Sequence, residues 1–413
     1  MRVLAGRAAE KRVRKLAARA SRLDAVEPQV RRMVAAVRRN GDRALVKYAR
    51  KWDGLQPSQP LRVAPAEIRA AWKNASPDLR AALEQAAANI RRFCEWQKPA
   101  EWTRKNDGIL LGQLVRPLDS VGCYVPGGRY PLPSTLLMTV IPAQVAGVRE
   151  IRVVSPKPRP ETLAAAALLG VTEFYRVGGA HAIAALAYGT RSIARVDKIV
   201  GPGNLYVTAA KKLVAFDCSI DFLAGPTEVV IVAESGEDEF IAADLVAQAE
   251  HDPETLPIFI TSSRDLSNRV AACATEIAKS SVIARQSLAV NGVALLAQSH
   301  AQALEWANLI APEHITVARD DVAAIRSAGS VFVGDYSPQA VGDYASGPNH
   351  VLPTAGAARY RGGLSVLDFV KLITMQELSP AALRRIAPVV TRLAEAEGLQ
   401  AHAESVRVRC AHA

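Results

Sequence analysis

The sequence predicts an α/β protein: two parallel-sheet halves of similar style, with a helical segment before them and a helical tail after them. Three observations carry this. From about residue 120 to 235, short apolar runs of strand type alternate with helical stretches, and a second set of the same kind follows to about residue 370. The strand runs are too continuously apolar to show a solvent face, which marks a parallel sheet covered by helices. The first hundred residues, by contrast, read as wholly helical.

In the N-terminal segment, Val30, Met33, Val34 and Val37 recur at helical spacing, and their helix stops at Asn40-Gly41, a C-cap signature. The next helix runs to Trp52, before Asp53-Gly54. Ser76-Pro77-Asp78 opens a third, with Ser at the N-cap and Pro in the first helical position, and it continues to about Gln97. From Ile109 the texture turns to short β-type runs. In the first half, strands are expected at 122–125, 150–155, 173–177 and 198–200, with helices at 134–146, 161–170, 182–189 and 205–216. The first strand enters the Pro126-Gly127-Gly128 loop, the fourth enters Gly201-Pro202-Gly203-Asn204, and a strand pair around 227–233 closes the set. The second half offers helices at 238–252, 266–279, 300–311 and 321–329, with strands at 257–262, 314–318 and 330–334. Residues 371–398 read as helical. The chain therefore divides at 1–105, 106–235, 236–370 and 371–413, and two α/β halves of this kind commonly hold a ligand between them.

Composition narrows the function. Nearly half of the 413 residues are apolar and about a fifth are charged, ordinary values for a soluble globular chain. No apolar run reaches the roughly 18 residues of a membrane helix. The basic start lacks the apolar core of a signal peptide, and the five cysteines form no CxxC pair; both point to the cytoplasm, with no membrane partner. The net charge of +11 is local. Residues 1–50 hold 15 Lys/Arg against 4 Asp/Glu, so the remaining 36 against 36 cancel. That segment reads as the solvated face of amphipathic helices and not as a nucleic-acid arm, since no aromatic or glycine interleaving accompanies the charge.

The candidate chemistry gathers around GDYASGPNHVLPT, residues 342–354, whose glycines and prolines interrupt both helix and strand periods. It reads as an ordered loop presenting Asp343 and His350. His251 lies three residues after Gln248 on one helical face, a spacing that can share a metal, although a histidine near a helix C-terminus also simply complements the dipole. Glu313 and His314 follow Ala311-Pro312 on a connection at the edge of the second sheet. An adjacent carboxylate and imidazole suit a reaction with more than one proton transfer, or form a plain surface turn. His402, near the C-terminus, would by position alone be bland. Neither half has the G-x-G-x-x-G fingerprint, so any dinucleotide binds unconventionally.

YVPGG at 124–128, GPGN at 201–204, AGPTEV at 224–229, QAEHD at 248–252, APEH at 311–314, GDYASGPNHVLPT at 342–354 and EGLQAH at 397–402 occur in the order and spacing of the histidinol dehydrogenases, from roughly residue 25 to the end. The resemblance implies two incomplete Rossmann-like domains with helical N- and C-terminal segments. The first of them would form the NAD side and the second would carry the zinc and the catalytic pair. It implies a domain-swapped homodimer whose tail reaches the partner subunit's site. It implies one Zn²⁺ per subunit held by Gln248, His251, Asp343 and His402, the last donated by the partner. It implies oxidation of L-histidinol by two NAD⁺ to L-histidine, with His314 as the base in both oxidations and Glu313 activating the water that hydrates the bound aldehyde. Thr227, His350 and Glu397 match substrate contacts, joined by His314 and the four metal ligands. Tyr124, His181 and Asn204 match the NAD contacts.

Two positions depart from the family pattern. His181 replaces a glutamine in GGAHAIAALAYGT, and imidazole is expected to lose the amide's donor-plus-acceptor pattern, giving a weaker or pH-dependent KM for NAD⁺. Thr227 stands where many relatives have serine and keeps the hydroxyl. The alternative within the same chemistry is a zinc/NAD-dependent dehydrogenase acting on another small alcohol.

Overall fold

The structure, a computed structural model, describes residues 1–19, 23–127 and 130–412. Gly128 of the Pro126-Gly127-Gly128 loop lies outside the described residues. The described strands are, in chain order, β1 Arg2–Ala5, β2 Trp102–Asn106, β3 Ile109–Pro117, β4 Ser120–Tyr124, β5 Glu150–Val154, β6 Glu173–Tyr175 and β7 Lys198–Val200. They continue with β8 Ser219–Ile220, β9 Glu228–Val232, β10 Leu256–Thr261, β11 Val293–Leu296, β12 His314–Val317, β13 Ser330–Val333 and β14 Val370–Leu378.

Two all-parallel sheets form the body. The first runs β6-β5-β4-β7-β8 and the second β1-β11-β10-β9-β12-β13. Numbered within each half, both follow the order 3-2-1-4-5, the doubly wound order without its sixth strand. β4 and β9, the first strand of each half, are buried along their whole length, because helices cover both faces. Apolar residues of helices Pro133–Ala146 and Pro160–Leu168 pack on one face of the first sheet, and those of Gly179–Tyr188 and Leu205–Val214 on the other. The stripe Val30, Met33, Val34 and Val37 of helix Glu27–Asn40 is buried against that second layer, as the helical spacing requires.

Local signals set many helix ends. Ser76 accepts from Leu79 N at 3.2 Å and starts Pro77–Gln97. Asn204 accepts from Tyr206 N at 3.0 Å and Val207 N at 3.2 Å and starts Leu205–Val214.

Elsewhere the structure departs from the reading of the sequence. The N-terminal hundred residues are not wholly helical: β1 pairs with β11 at the edge of the second sheet, and four residues are too few to display a period. β9 belongs to the second sheet, so the change between halves falls before it and not at 235. Helix Val282–Val290 and β11 went unread, and residues 319–324 form a short 3₁₀ turn where a longer helix is expected. The tail does not begin as a helix. β14 pairs antiparallel with β3 from Val370 opposite Pro117 to Leu378 opposite Ile109, and its Leu-Ile-Thr-Met centre suits a pleated strand. A helix starts only at Pro380, capped by Ser379 accepting from Ala382 N at 3.2 Å. The 342–354 segment is also not all loop, for Gly342–Tyr344 closes the helix Gln339–Tyr344.

Candidate functional site

Glu313 and His314 do not stand at a sheet edge. They lie at the amino end of β12, an internal strand beside β9. Helix His300–Ile310 ends at Ala311, which takes a left-handed backbone (φ +50°), and Pro312 then turns the chain into the pair. Both side chains are buried, 6% and 3% exposed, which removes the surface-turn alternative. Glu313 Oε2 accepts from Thr227 Oγ1 at 2.6 Å and from Glu228 N at 2.9 Å. His314 Nδ1 lies 3.2 Å from the Glu228 carbonyl oxygen and donates to it, since a carbonyl only accepts. Its Nε2 is buried without a hydrogen-bond partner, 3.6 Å from Asp343 Oδ1.

The electrostatics follow from this burial. Burial pushes the Glu313 carboxyl up to about 7. Burial alone would lower His314, but the charges of Glu313 and Asp343 lift it to about 9. Both shifts favour the protonated form, Glu313 drawn towards its neutral acid and His314 towards imidazolium, so His314 takes a proton only after it has given one up.

Asp343 joins the pair to the candidate metal ligands. Its Oδ2 accepts from Gln248 Nε2 at 3.2 Å. Burial opposes its ionisation, yet the imidazoles of His314, His350 and His251 hold its carboxyl below the usual range. Gln248, 2% exposed, closes the helix Asp238–Ala249, and His251 follows on the exposed turn. Gln248 thus touches Asp343 directly, and the His251 imidazole lies near enough for its charge to act on that carboxylate. Among the described residues no group of three or more His, Cys, Asp and Glu side chains stands ready for a metal.

The loop after Asp343 ties the two halves together. His350 Nδ1 donates to the Asp343 carbonyl oxygen, 2.7 Å away, and its Nε2 is 3.3 Å from Thr135 Oγ1 of helix Pro133–Ala146. Asn349 donates to the Met138 carbonyl at 2.6 Å, and Thr354 Oγ1 accepts from Gly225 N.

Glu397 and His402 are not brought to this cluster. They lie exposed on a hairpin of helices Pro380–Ala396 and Gln400–Ala411, and neither forms an ion pair or hydrogen bond with the groups around Asp343 among the described residues. The hairpin buries only Ala382, Ala394 and Ala403, leaving Val389, Leu393, Leu399 and Val408 exposed.

Tyr124, His181 and Asn204 meet in a separate cavity of about 410 Å³. It opens beyond the carboxyl ends of β4 and β7, where the strand order of the first sheet reverses, the usual ligand crevice of such sheets. Two glycines allow the close backbone approaches there. A Cβ on Gly201 (φ +111°) would lie 2.1 Å from the Tyr124 carbonyl oxygen, and one on Gly127 would lie 1.9 Å from that of Pro156. Tyr124 OH accepts from Gly179 N at 3.1 Å, and burial pushes the phenol up to about 12. His181, 1% exposed, has Nε2 2.7 Å from Asp53 Oδ2, which also accepts from Gly178 N at 2.9 Å. A carboxylate partner puts the proton on Nε2, so the buried Nδ1, without a partner in the protein, is an acceptor. With the Nε2 donor spent on Asp53, only Nδ1 is left for a ligand, one hydrogen bond where an amide offers two. Trp52 stacks on Tyr48 (centroids 5.0 Å, 16°), and both rings flank His181.

Sequence reasoning missed Asp53, read only as a turn residue, together with Glu228 and Thr135. Glu228 carried a signal, since it adjoins Thr227 in AGPTEV; Asp53 and Thr135 carried none without their partners.

The family profile described as Histidinol dehydrogenase matches residues 16–410. The Histidinol dehydrogenase of Methanothermobacter thermautotrophicus is 47% identical over 401 residues, 94% of this chain and 94% of that one. That of Thermus thermophilus is 47% identical over 397 residues, covering 93% and 94%. Among solved structures, Histidinol Dehydrogenase from Elizabethkingia anophelis superposes with a TM-score of 0.92 at 35% identity, covering 99% of this chain and 98% of that one.

Proposed function

The chain belongs to the histidinol dehydrogenase family, and we propose that it oxidises L-histidinol to L-histidine through a bound aldehyde, the last two steps of L-histidine biosynthesis. The observation that carries this reading is the buried Glu313–His314 pair, joined to Thr227, Asp343 and, through the Asp343 loop, His350.

His314 takes the alcohol proton from the substrate as hydride departs. Its buried, unpartnered Nε2 faces the side of Asp343 and is the ring nitrogen free to do so, since Nδ1 is held by the Glu228 carbonyl. Glu313, raised to about 7 by burial, activates the water that adds to the aldehyde, and Thr227 and the Glu228 N–H hold its carboxylate in place. His314 then acts as base again in the second oxidation. Gln248, His251 and Asp343 of one chain, with His402 of the second copy, would hold one Zn²⁺. Zinc held there would supply orientation and polarisation of the substrate, and Tyr124, His181 and Asn204 would hold the NAD⁺ that supplies the hydride acceptor. His350 and Glu397 position the substrate.

A homodimer is supported by the uncovered apolar face of the tail hairpin and by β14, where Leu372 and Ile373 are exposed. A second copy that covers this surface would bring His402 and Glu397 to a site they do not reach in their own chain. No helix of the described residues is long and apolar enough to cross a membrane. The scattered cysteines, none of them paired, fit a cytoplasmic enzyme.

The test is stoichiometric. L-histidinol is supplied with excess NAD⁺ and Zn²⁺, and NADH is counted per substrate consumed. Two NADH support the reading, one reduces it to a simple alcohol dehydrogenase, and none removes it.

A further inference from the structure

We propose that Arg19 is a positioning residue for the Glu313–His314 pair, acting through Glu228. The proposal rests on the reading that this pair is catalytic.

Arg19 belongs to the arginine-rich start, whose charge otherwise reads as solvated. Arg14 and Arg31 fit that description, pairing with Glu10 and Glu27 one helical turn away on the surface. Arg19 does not. Its side chain is 12% exposed and meets a Glu228 side chain that is 2% exposed. Nε donates to Glu228 Oε1 at 2.5 Å and Nη2 donates to Oε2, a two-pronged pair. The same guanidinium donates through Nη1 to the carbonyls of Leu16 at 2.7 Å and Ile310 at 2.6 Å, and through Nη2 to that of Ala311 at 3.3 Å.

These partners lie on both sides of the catalytic pair. Ile310 and Ala311 are the end of the helix and the left-handed turn that deliver Glu313 and His314. Glu228 meets the pair from the neighbouring strand: its N–H donates to Glu313 Oε2 and its carbonyl receives His314 Nδ1. Glu228 Oε1 also accepts from Ala355 N at 2.9 Å, just beyond the loop that carries Asp343 and His350. One planar cation thus sets the relative placement of β9, the entry to β12 and the exit of the 342–354 segment. A lysine has one nitrogen and cannot span both carboxylate oxygens and the carbonyls behind it. A buried ion pair is also a poor way to stabilise a fold, because desolvation offsets much of its attraction, so its retention here fits a positional role.

The test uses the full chain with Zn²⁺. For Arg19→Ala we expect kcat to fall about 100-fold while the KM for NAD⁺ changes less than about twofold, because misplaced catalytic groups cost rate and the NAD cavity touches neither Arg19 nor Glu228. Arg19 lines a cavity of about 690 Å³, so millimolar guanidinium should restore part of kcat where equal sodium chloride does not. In ¹⁵N-histidine-labelled protein, the His314 signal, assigned by its loss in His314→Gln, should move in Arg19→Ala, with the His181 and His300 signals in place. If Arg19→Ala does not fold, Arg19→Lys replaces it, with a loss of kcat and a shift of the same signal expected. An unchanged His314 signal in a folded variant overturns the proposal, as does an unchanged kcat or a KM for NAD⁺ that rises as far as kcat falls. A wild-type chain that yields no NADH removes the functional reading instead, and the His314 signal still decides whether Arg19 positions that ring.

Discussion

Replacing Asp53 by alanine should loosen the NAD cavity from beneath. In the native chain one buried oxygen, Asp53 Oδ2, accepts from both His181 Nε2 at 2.7 Å and Gly178 N at 2.9 Å. Alanine leaves two buried donors without partners. At about 1–3 kcal/mol for each unsatisfied group, the loss is about 2–6 kcal/mol, local to the start of helix Gly179–Tyr188. Asp53→Asn keeps an acceptor of the same shape and loses only the charge, so it should cost about 1–2 kcal/mol, because charge-assisted bonds are roughly twice as strong as neutral ones. Hydrogen exchange of the segment from Gly178 to Ala182 reads this directly. Opening should accelerate by about 30-fold or more in the alanine variant and by about tenfold in the asparagine variant. The KM for NAD⁺ should rise in the same order, because without Asp53 nothing fixes Nε2 as the donor and Nδ1 as the acceptor. Wild-type exchange and wild-type KM in Asp53→Ala would refute the reasoning that Asp53 sets the tautomer and place of His181.

Other perturbations test separate parts of the molecule. A hydrogen bond to Asp321, aided by Glu234, raises the pKa of His300 against its partial burial. That stabilisation is fully present below the unfolded value of about 6.5 and is lost as pH rises through the raised folded value, so His300→Gln should lower Tm more at pH 6 than at pH 9. Equal losses at both pH values would contradict it. Gly201→Ala should cost about 1–3 kcal/mol in backbone strain alone, plus the clash of its Cβ with the Tyr124 carbonyl, and titration of NAD⁺ against the variant should show weakened binding. Mixing inactive His402→Ala chains with inactive Glu313→Gln chains should restore part of the activity if His402 serves the other subunit's site; two inactive parents that stay inactive after subunit exchange argue against a shared site.

Much of this protein is written in local sequence. Continuous apolar strand runs show that the sheets are parallel and covered, because a strand with no solvent face shows no alternation. Ser76, Asn204 and Ser379 mark helix starts through bonds spanning two or three residues, which a sequence displays directly. The Glu313-His314 doublet, Gln248 with His251, and Asp343 with His350 are legible for the same reason: their chemistry is carried by short spacing. Tertiary structure decided the rest, wherever a group's meaning depends on a distant partner. β1 and β14 are strands because β11 and β3 offer them edges, and a lone strand has no hydrogen bonds of its own. Asp53 is a turn residue until His181, 128 positions away, puts a proton against it, and that contact fixes which ring nitrogen of His181 donates. Arg19 is one basic residue among many until Glu228, 209 positions away, takes both prongs of its guanidinium. Period and capping are encoded within a few residues, whereas the partner of a buried charge is settled only when the folded chain excludes water from around it.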